Sequence, residues 1–178
     1  MDPDFAQLAN DRYEIADALH RYAFALDHDH PDTLASVLTD DCRFDFGPAA
    51  KKIGVEMAVL NGRDAIVQNV LPRIGPLKTS HSVSNIQIEI SGDTASLTAY
   101  VASQHFVGRN GSASDFALLM NRYDCGLVRT SAADAPDRVR WQFKRITIDN
   151  AWFQGNPDVL DASSMSNALR TKRLKRNA

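Results

Sequence analysis

Two cysteines in 178 residues, Cys42 and Cys125, are too few and too far apart in sequence for a disulfide framework or a paired-cysteine metal knuckle. They read as reduced thiols. Nine glycines and seven prolines without a period exclude collagen-like and low-complexity chains. No apolar run approaches the ~18 residues of a membrane helix. The opening Met1-Asp2-Pro3-Asp4-Phe5 is acidic where a secretory leader is basic and then apolar. These absences point to a cytoplasmic protein with no membrane partner. Positive charge is also in short supply, with 20 Lys and Arg against 22 Asp and Glu. Five of the basic residues, Arg170, Lys172, Arg173, Lys175 and Arg176, fall in the last nine positions. The body is therefore more acidic than the net charge of −2 suggests, which argues against nucleic acid as a partner. The dinucleotide fingerprint, the Walker loop and the serine-hydrolase G-x-S-x-G are all missing.

What remains is an ordinary globular composition, 44% hydrophobic and 24% charged, long enough to close around one core without staples. Over 5–26 the apolar residues Leu8, Ile15, Leu19, Tyr22 and Leu26 fall at helical spacing, with Asp11, Glu14, Asp17 and Arg21 on the other side. Pro31 suits the first turn of a second helix with Leu34, Val37 and Leu38 on its apolar face, ending at Asp40 and Asp41. A short strand over 42–46, a Gly/Pro/Lys loop through Ile53 and a third helix from Gly62-Arg63-Asp64 to Pro72 follow.

The rest alternates. Ile86, Ile88 and Ile90 run at period two, Gly92-Asp93 turns the chain, and 94–107 returns with Leu97, Ala99 and Val101. Two further long strands, 116–129 and 139–152, flank the turn-rich 131–137. Trp141 and Phe143 share one parity, Ile146 and Ile148 the other, so a bulge is expected near Arg145. Helices first and long antiparallel strands afterwards predict an α+β fold, a curved sheet with helices on its concave side and a cavity between them. A single domain over 1–160 and a basic tail over 161–178, flexible or packed on a neighbouring subunit, complete the expected organisation.

Five fragments in order carry a resemblance: Tyr22-x4-Asp27, Leu38-Thr39-Asp40-Asp41-x-x-Phe44, Gly62-Arg63-Asp64-Ala65-Ile66, Thr79-Ser80-His81-Ser82-Val83-Ser84-Asn85-Ile86 and Gly92-Asp93-Thr94-Ala95. Together they resemble the SnoaL-like branch of the nuclear transport factor 2-like superfamily, over about 5–152. The resemblance implies a cone-shaped, cystatin-like α+β barrel of curved mixed β-sheet wrapped around the N-terminal helices, assembled as a homodimer or homotrimer, with a ligand pocket in the cone. It is most similar to the dehydratases and dehydrochlorinases of that superfamily, among them scytalone dehydratase, bile-acid 7α-dehydratase and hexachlorocyclohexane dehydrochlorinase. These pair an Asp at the end of the first helix with a His opening a strand, positions held here by Asp27 and His81.

The chemistry of such a pair is concrete. A carboxylate bonded to one ring nitrogen orients the imidazole and stabilises its protonated form, leaving the other nitrogen to take a proton from carbon. Tyr22 is a candidate acid for the departing group, although five helical residues set it ~140° from Asp27 around an ideal helix. It also continues the Leu19 and Leu26 apolar stripe, as a core tyrosine would. His105 shares parity with Leu97, Ala99 and Val101 and is expected to face the same cavity, as a catalytic or a structural histidine. Asn85, at even spacing from His81, and Arg145, at the phase switch, are candidate substrate-binding residues. The run Asp27-His28-Asp29-His30 has ligand chemistry but sits between helices, and no metal or other cofactor is expected.

The expected activity is a cofactor-independent lyase, a dehydratase-like elimination on a small, largely apolar, cyclic substrate. An isomerase or polyketide-type cyclase with Asp27 as base, its pKa raised by burial, is the first alternative. A non-catalytic ligand-binding or assembly module is the second.

Overall fold

The computed structural model describes residues 3–107, 116–132 and 135–160. The first helix, α1 (Pro3–Asp27), buries Ile15, Ala18, Leu19, Tyr22, Ala25 and Leu26 along one stripe, as the spacing predicts, while Leu8, expected on the same side, is exposed. Asp11 and Glu14 are also buried, although the pattern assigns them to the solvent side.

Helix α2 (Pro31–Ser36) has Pro31 in its first turn and His30 as its cap. It stops four residues short of the expected end at Asp40, because strand β1 (Leu38–Asp45) has already begun. The last strand captures the chain there: Phe143 N–H donates to the Val37 carbonyl at 2.8 Å and Thr39 Oγ1 to the Phe143 carbonyl at 3.2 Å. The segment expected to be a loop holds a helix, α3 (Gly47–Ile53), with Pro48 in its first turn and left-handed Gly54 closing it. Three buried apolar residues, Ala49, Ala50 and Ile53, hold α3 in place where composition suggested a turn.

After the two-residue β2 (Leu60–Asn61), helix α4 (Arg63–Ile74) starts at Gly62, φ 92°, and continues two residues past Pro72. Proline in the last turn removes one N–H only, and Ile74 gains packing against the core.

Four long strands follow: β3 (Lys78–Ser91), β4 (Thr94–Phe106), β5 (Phe116–Ala132) and β6 (Ala135–Gly155). A 3-10 turn (Pro157–Leu160) ends the described chain. The β3–β4 turn is Gly92-Asp93, with Gly92 at φ 59° and Ser91 facing Thr94. The expected 131–137 turn is much shorter, because strand pairing persists to Ala132 opposite Ala135. Residues 133–134 of that turn, and the basic tail over 161–178, lie outside the described residues.

The sheet order is β2-β1-β6-β5-β4-β3, with β1 parallel to β6 and every other pair antiparallel. The sheet is mixed, curved and unclosed, and its fold is α+β as expected. The bulge near Arg145 is present: Gly126 faces Arg145 and Leu127 faces Phe143, leaving Lys144 over. That extra residue is why Phe143 and Ile146 are both buried. A second bulge places Asn85 and Ile86 opposite the single residue Ala99, with Asn85 at φ 51°. The concave face packs on α1 through Leu97, Tyr123, Leu127, Trp141, Phe143 and Ile148. No described helix is long and apolar enough to cross a membrane.

Candidate active site

Asp27 is the last residue of α1, where the helix dipole opposes a negative charge. Strand β3 supplies the compensation. Thr79 Oγ1 donates to Asp27 Oδ1 at 2.8 Å, His81 N–H to Oδ2 at 2.9 Å, and His81 Nδ1 lies 2.6 Å from Oδ1. Thr79 and His81 can both reach because they alternate onto the same face of β3. Burial alone would raise the Asp27 pKa, but the bonds from His81 and Thr79 outweigh it and hold the carboxyl below its ordinary value. The carboxyl is held ionised at ordinary pH.

The His81 side chain is 3% exposed, and with Nδ1 committed to the carboxylate its remaining basic position is Nε2. The ring lines a cavity of about 470 Å³ between α1, α4 and the concave sheet. Leu26, Phe44, Phe46, Val70, Ile74 and Ile148 make most of the wall apolar. Polar groups enter from Tyr22, Ser103, His105, Asn121 and Tyr123, while Glu56, Arg73 and Asp158 also contribute to the lining.

His105 faces inward, as its parity predicts, with its ring 5.3 Å from that of His81 and nearly perpendicular to it. Burial first, and the neighbouring His81 second, lower its pKa to about 3, so the ring is neutral at ordinary pH. Tyr22 lines the cavity and packs edge-on against Tyr123 and Phe143, at 6.2 and 6.1 Å between ring centres. Burial, and then Tyr123, push its pKa well above the usual phenol value, so the hydroxyl stays a donor. Despite the angle between Tyr22 and Asp27 on the helix, Tyr22 and His81 both line the cavity. Asp27 itself is not among the described lining residues.

Two candidates lie away from this cavity. Asn85 is exposed and outside the cavity, because the bulge turns it off the face shared by Thr79, His81 and Val83. Arg145 is also outside the cavity; it lies across from Gly126 and pairs with Asp124 at 2.8 Å. The neighbours of Asp27 are spent locally: the His28 ring stacks on Phe24 at 4.0 Å, and His30 Nδ1 accepts from the α2 amide of Thr33. The thiols are core groups, Cys42 pushed up to about 12 and Cys125 higher still, each chiefly by burial.

Sequence reading missed Thr79, Ser103, Asn121 and Tyr123. The signals were parity ones: Ser103 and His105 continue the inward series Leu97-Ala99-Val101, and Asn121 and Tyr123 fall between inward Leu119 and Cys125. Likewise, inward Val83 and Ile86 differ in parity, which marks the bulge that removes Asn85.

The profile described as the SnoaL-like domain matches residues 7–147. The chain belongs to the SnoaL-like family. It is 31% identical over 150 residues to terrestric acid biosynthesis cluster protein E of Penicillium crustosum, covering 83% of this chain and 87% of that protein. Among solved structures, a candidate aromatic ring hydroxylase from Novosphingobium aromaticivorans superposes with TM-score 0.69 at 25% identity, over 86% of this chain and 98% of that one. A candidate scytalone dehydratase from the same organism gives 0.64 at 26%, over 85% and 94%. A hexachlorocyclohexane dehydrochlorinase from Novosphingobium barchaimii, at TM-score 0.63 and 18% identity over 85% and 92%, shares the fold.

Proposed function

We propose that this SnoaL-like protein is a lyase that eliminates water or halide from a small, largely apolar cyclic substrate, with His81 as general base and Asp27 as its orienter. Family membership and the relatives above support lyase, isomerase or cyclase chemistry in general. The single observation that carries the finer reading is the contact of His81 Nδ1 with an ionised Asp27 at 2.6 Å while the ring borders a cavity.

The substrate ring lies in the apolar part of the cavity. Nε2 of His81 takes a proton from a carbon made acidic by a neighbouring carbonyl, the electron pair moves to expel the leaving group from the adjacent carbon, and a departing hydroxyl takes the proton back from the His81 imidazolium to leave as water, whereas halide leaves as the anion. Asp27 stabilises the imidazolium formed in that step. Tyr22, whose hydroxyl keeps its proton, hydrogen-bonds the carbonyl or the departing oxygen. His105 contributes as a neutral hydrogen-bonding ring, since a pKa near 3 leaves no proton to spare at neutral pH. The alternative in which Asp27 is itself the base loses its premise, because its pKa is lowered where that role needs it raised.

Proton abstraction can be read without knowing the natural substrate. With 2-tetralone in D2O, the wild type is expected to accelerate exchange of the α-protons followed by NMR, and Asp27→Asn and His81→Ala to return it to the buffer rate. Equal exchange by all three proteins would remove the base from the mechanism.

A further inference from the structure

Buried polar groups almost always find a partner, and those that do not mark a place reserved for something else. Among the described residues four buried side-chain atoms lack one: Glu14 Oε2, Arg21 Nη2, Ser103 Oγ and His105 Nδ1. The first two face each other at 4.0 Å on α1, a loose ion pair on one helix. The other two belong together differently. Ser103 and His105 are two residues apart on β4, project to the same face, and both line the cavity. Ser103 is 2% and His105 4% exposed.

The position of Ser103 is specific. It is the direct cross-strand partner of His81, so their Cβ atoms are ~5 Å apart. Its other cross-strand neighbour is Leu119, which offers no side-chain acceptor or donor. A buried hydroxyl left without a partner costs folding free energy, and alanine there would avoid the cost. Its presence beside the base is accounted for by a ligand that completes it.

We propose that Ser103 is a specificity-determining residue: its hydroxyl, with Nδ1 of His105 alongside, receives a hydroxyl substituent of the substrate close to the carbon that His81 deprotonates. A hydroxyl fits better than an ether or a bare ring edge because it both donates and accepts, as serine does, and so can satisfy both atoms at once. The substrate class narrows accordingly, from an apolar ring to a ring carrying a hydroxyl on the side facing β4. This rests on the proposed use of His81 for its meaning in catalysis, but its test is one of binding and is read separately from proton exchange.

The experiment compares the binding of naphthalene, 2-naphthol and 2-methoxynaphthalene to the wild type, Ser103→Ala and Ser103→Thr by calorimetry, with melting temperatures alongside. In the wild type 2-naphthol is expected to bind about five- to tenfold more tightly than naphthalene, the worth of one buried hydrogen bond, and 2-methoxynaphthalene no better than naphthalene. Ser103→Ala abolishes that preference and melts at or above the wild-type temperature, because it removes an unpartnered hydroxyl. Ser103→Thr, which keeps a hydroxyl, restores the preference. Absence of a preference in the wild type, weak binding of every probe included, overturns the proposal. So does its survival in Ser103→Ala, an equal gain from the methoxy compound, or a melting temperature of Ser103→Ala several degrees below wild type.

Discussion

Helix α1 turns Asp11, in its first half, and Asp27, its last residue, toward the sheet, and the two carboxylates have different partners. Asp11 accepts from Arg129 Nη1 at 2.7 Å, Arg129 Nη2 at 2.8 Å, Trp141 Nε1 at 2.9 Å and Gln7 Nε2 at 3.1 Å. The Arg129 guanidinium also lies over the Trp141 ring at 4.8 Å and reaches Asp93 at 2.9 Å. Those donors do not change protonation state near neutral pH, and the cluster borders no described cavity. Asp27 accepts three bonds to the four of Asp11, and one comes from an imidazole whose second nitrogen is left over beside a cavity. Both carboxyls are held below their ordinary pKa, burial opposing and hydrogen bonds prevailing in each case. The carboxylates are alike. Titratable character in the partner, and access to a void, separate an anchor from a site.

That contrast can be broken most forcefully by exchanging effects between the two ends. Asp27→Asn and His81→Ala are expected to slow proton abstraction about 10²- to 10⁴-fold while the protein stays folded, as judged by NMR exchange rates and circular dichroism. Asp11→Ala should do the reverse. Leaving Arg129 and Trp141 Nε1 without their shared acceptor should cost about 3 kcal/mol in urea unfolding, with activity per folded molecule preserved.

Next comes acidity. His105 is neutral when folded, to about pH 3, and protonates near 6.5 when unfolded, so the unfolded state binds one more proton between those values. Stability should therefore fall as pH drops below 6.5, by up to about 1.4 kcal/mol per pH unit, and His105→Gln should flatten that slope. Asp27 adds its own loss only lower, as pH falls from the ordinary carboxylate range through its lowered pKa. Tyr22→Phe keeps the packing and should lower turnover about tenfold with little change in melting temperature. Asn85→Ala and Arg145→Ala, both outside the cavity, should leave turnover within about twofold.

The fold was legible because periodicity reports burial, and burial is what the core of α1 and the strands consists of. Phe143 against Ile146 was enough to locate one bulge. Asn85 leaves the face of His81 because a left-handed residue shifts the register, a shift whose trace in the sequence is the differing parity of Val83 and Ile86. Helix α3 escaped because Gly47-Pro48 and Lys51-Lys52 look like a loop until Ala49, Ala50 and Ile53 find the core. Asp27 and His81, 54 positions apart, came from an ordered set of motifs, since no local pattern links the end of a helix to a distant strand. Thr79, Ser103 and Tyr123 were missed because a small or aromatic residue in an inward series looks like core until a cavity is seen in front of it.

The nitrogen shifts of His81 in a 15N-labelled sample test the central claim most directly, measured with the ring neutral. Asp27 should hold the proton on Nδ1 and leave Nε2 bare, and Asp27→Asn should disturb that preference. A neutral ring protonated on Nε2, with Nδ1 bare toward the carboxylate, would contradict the account.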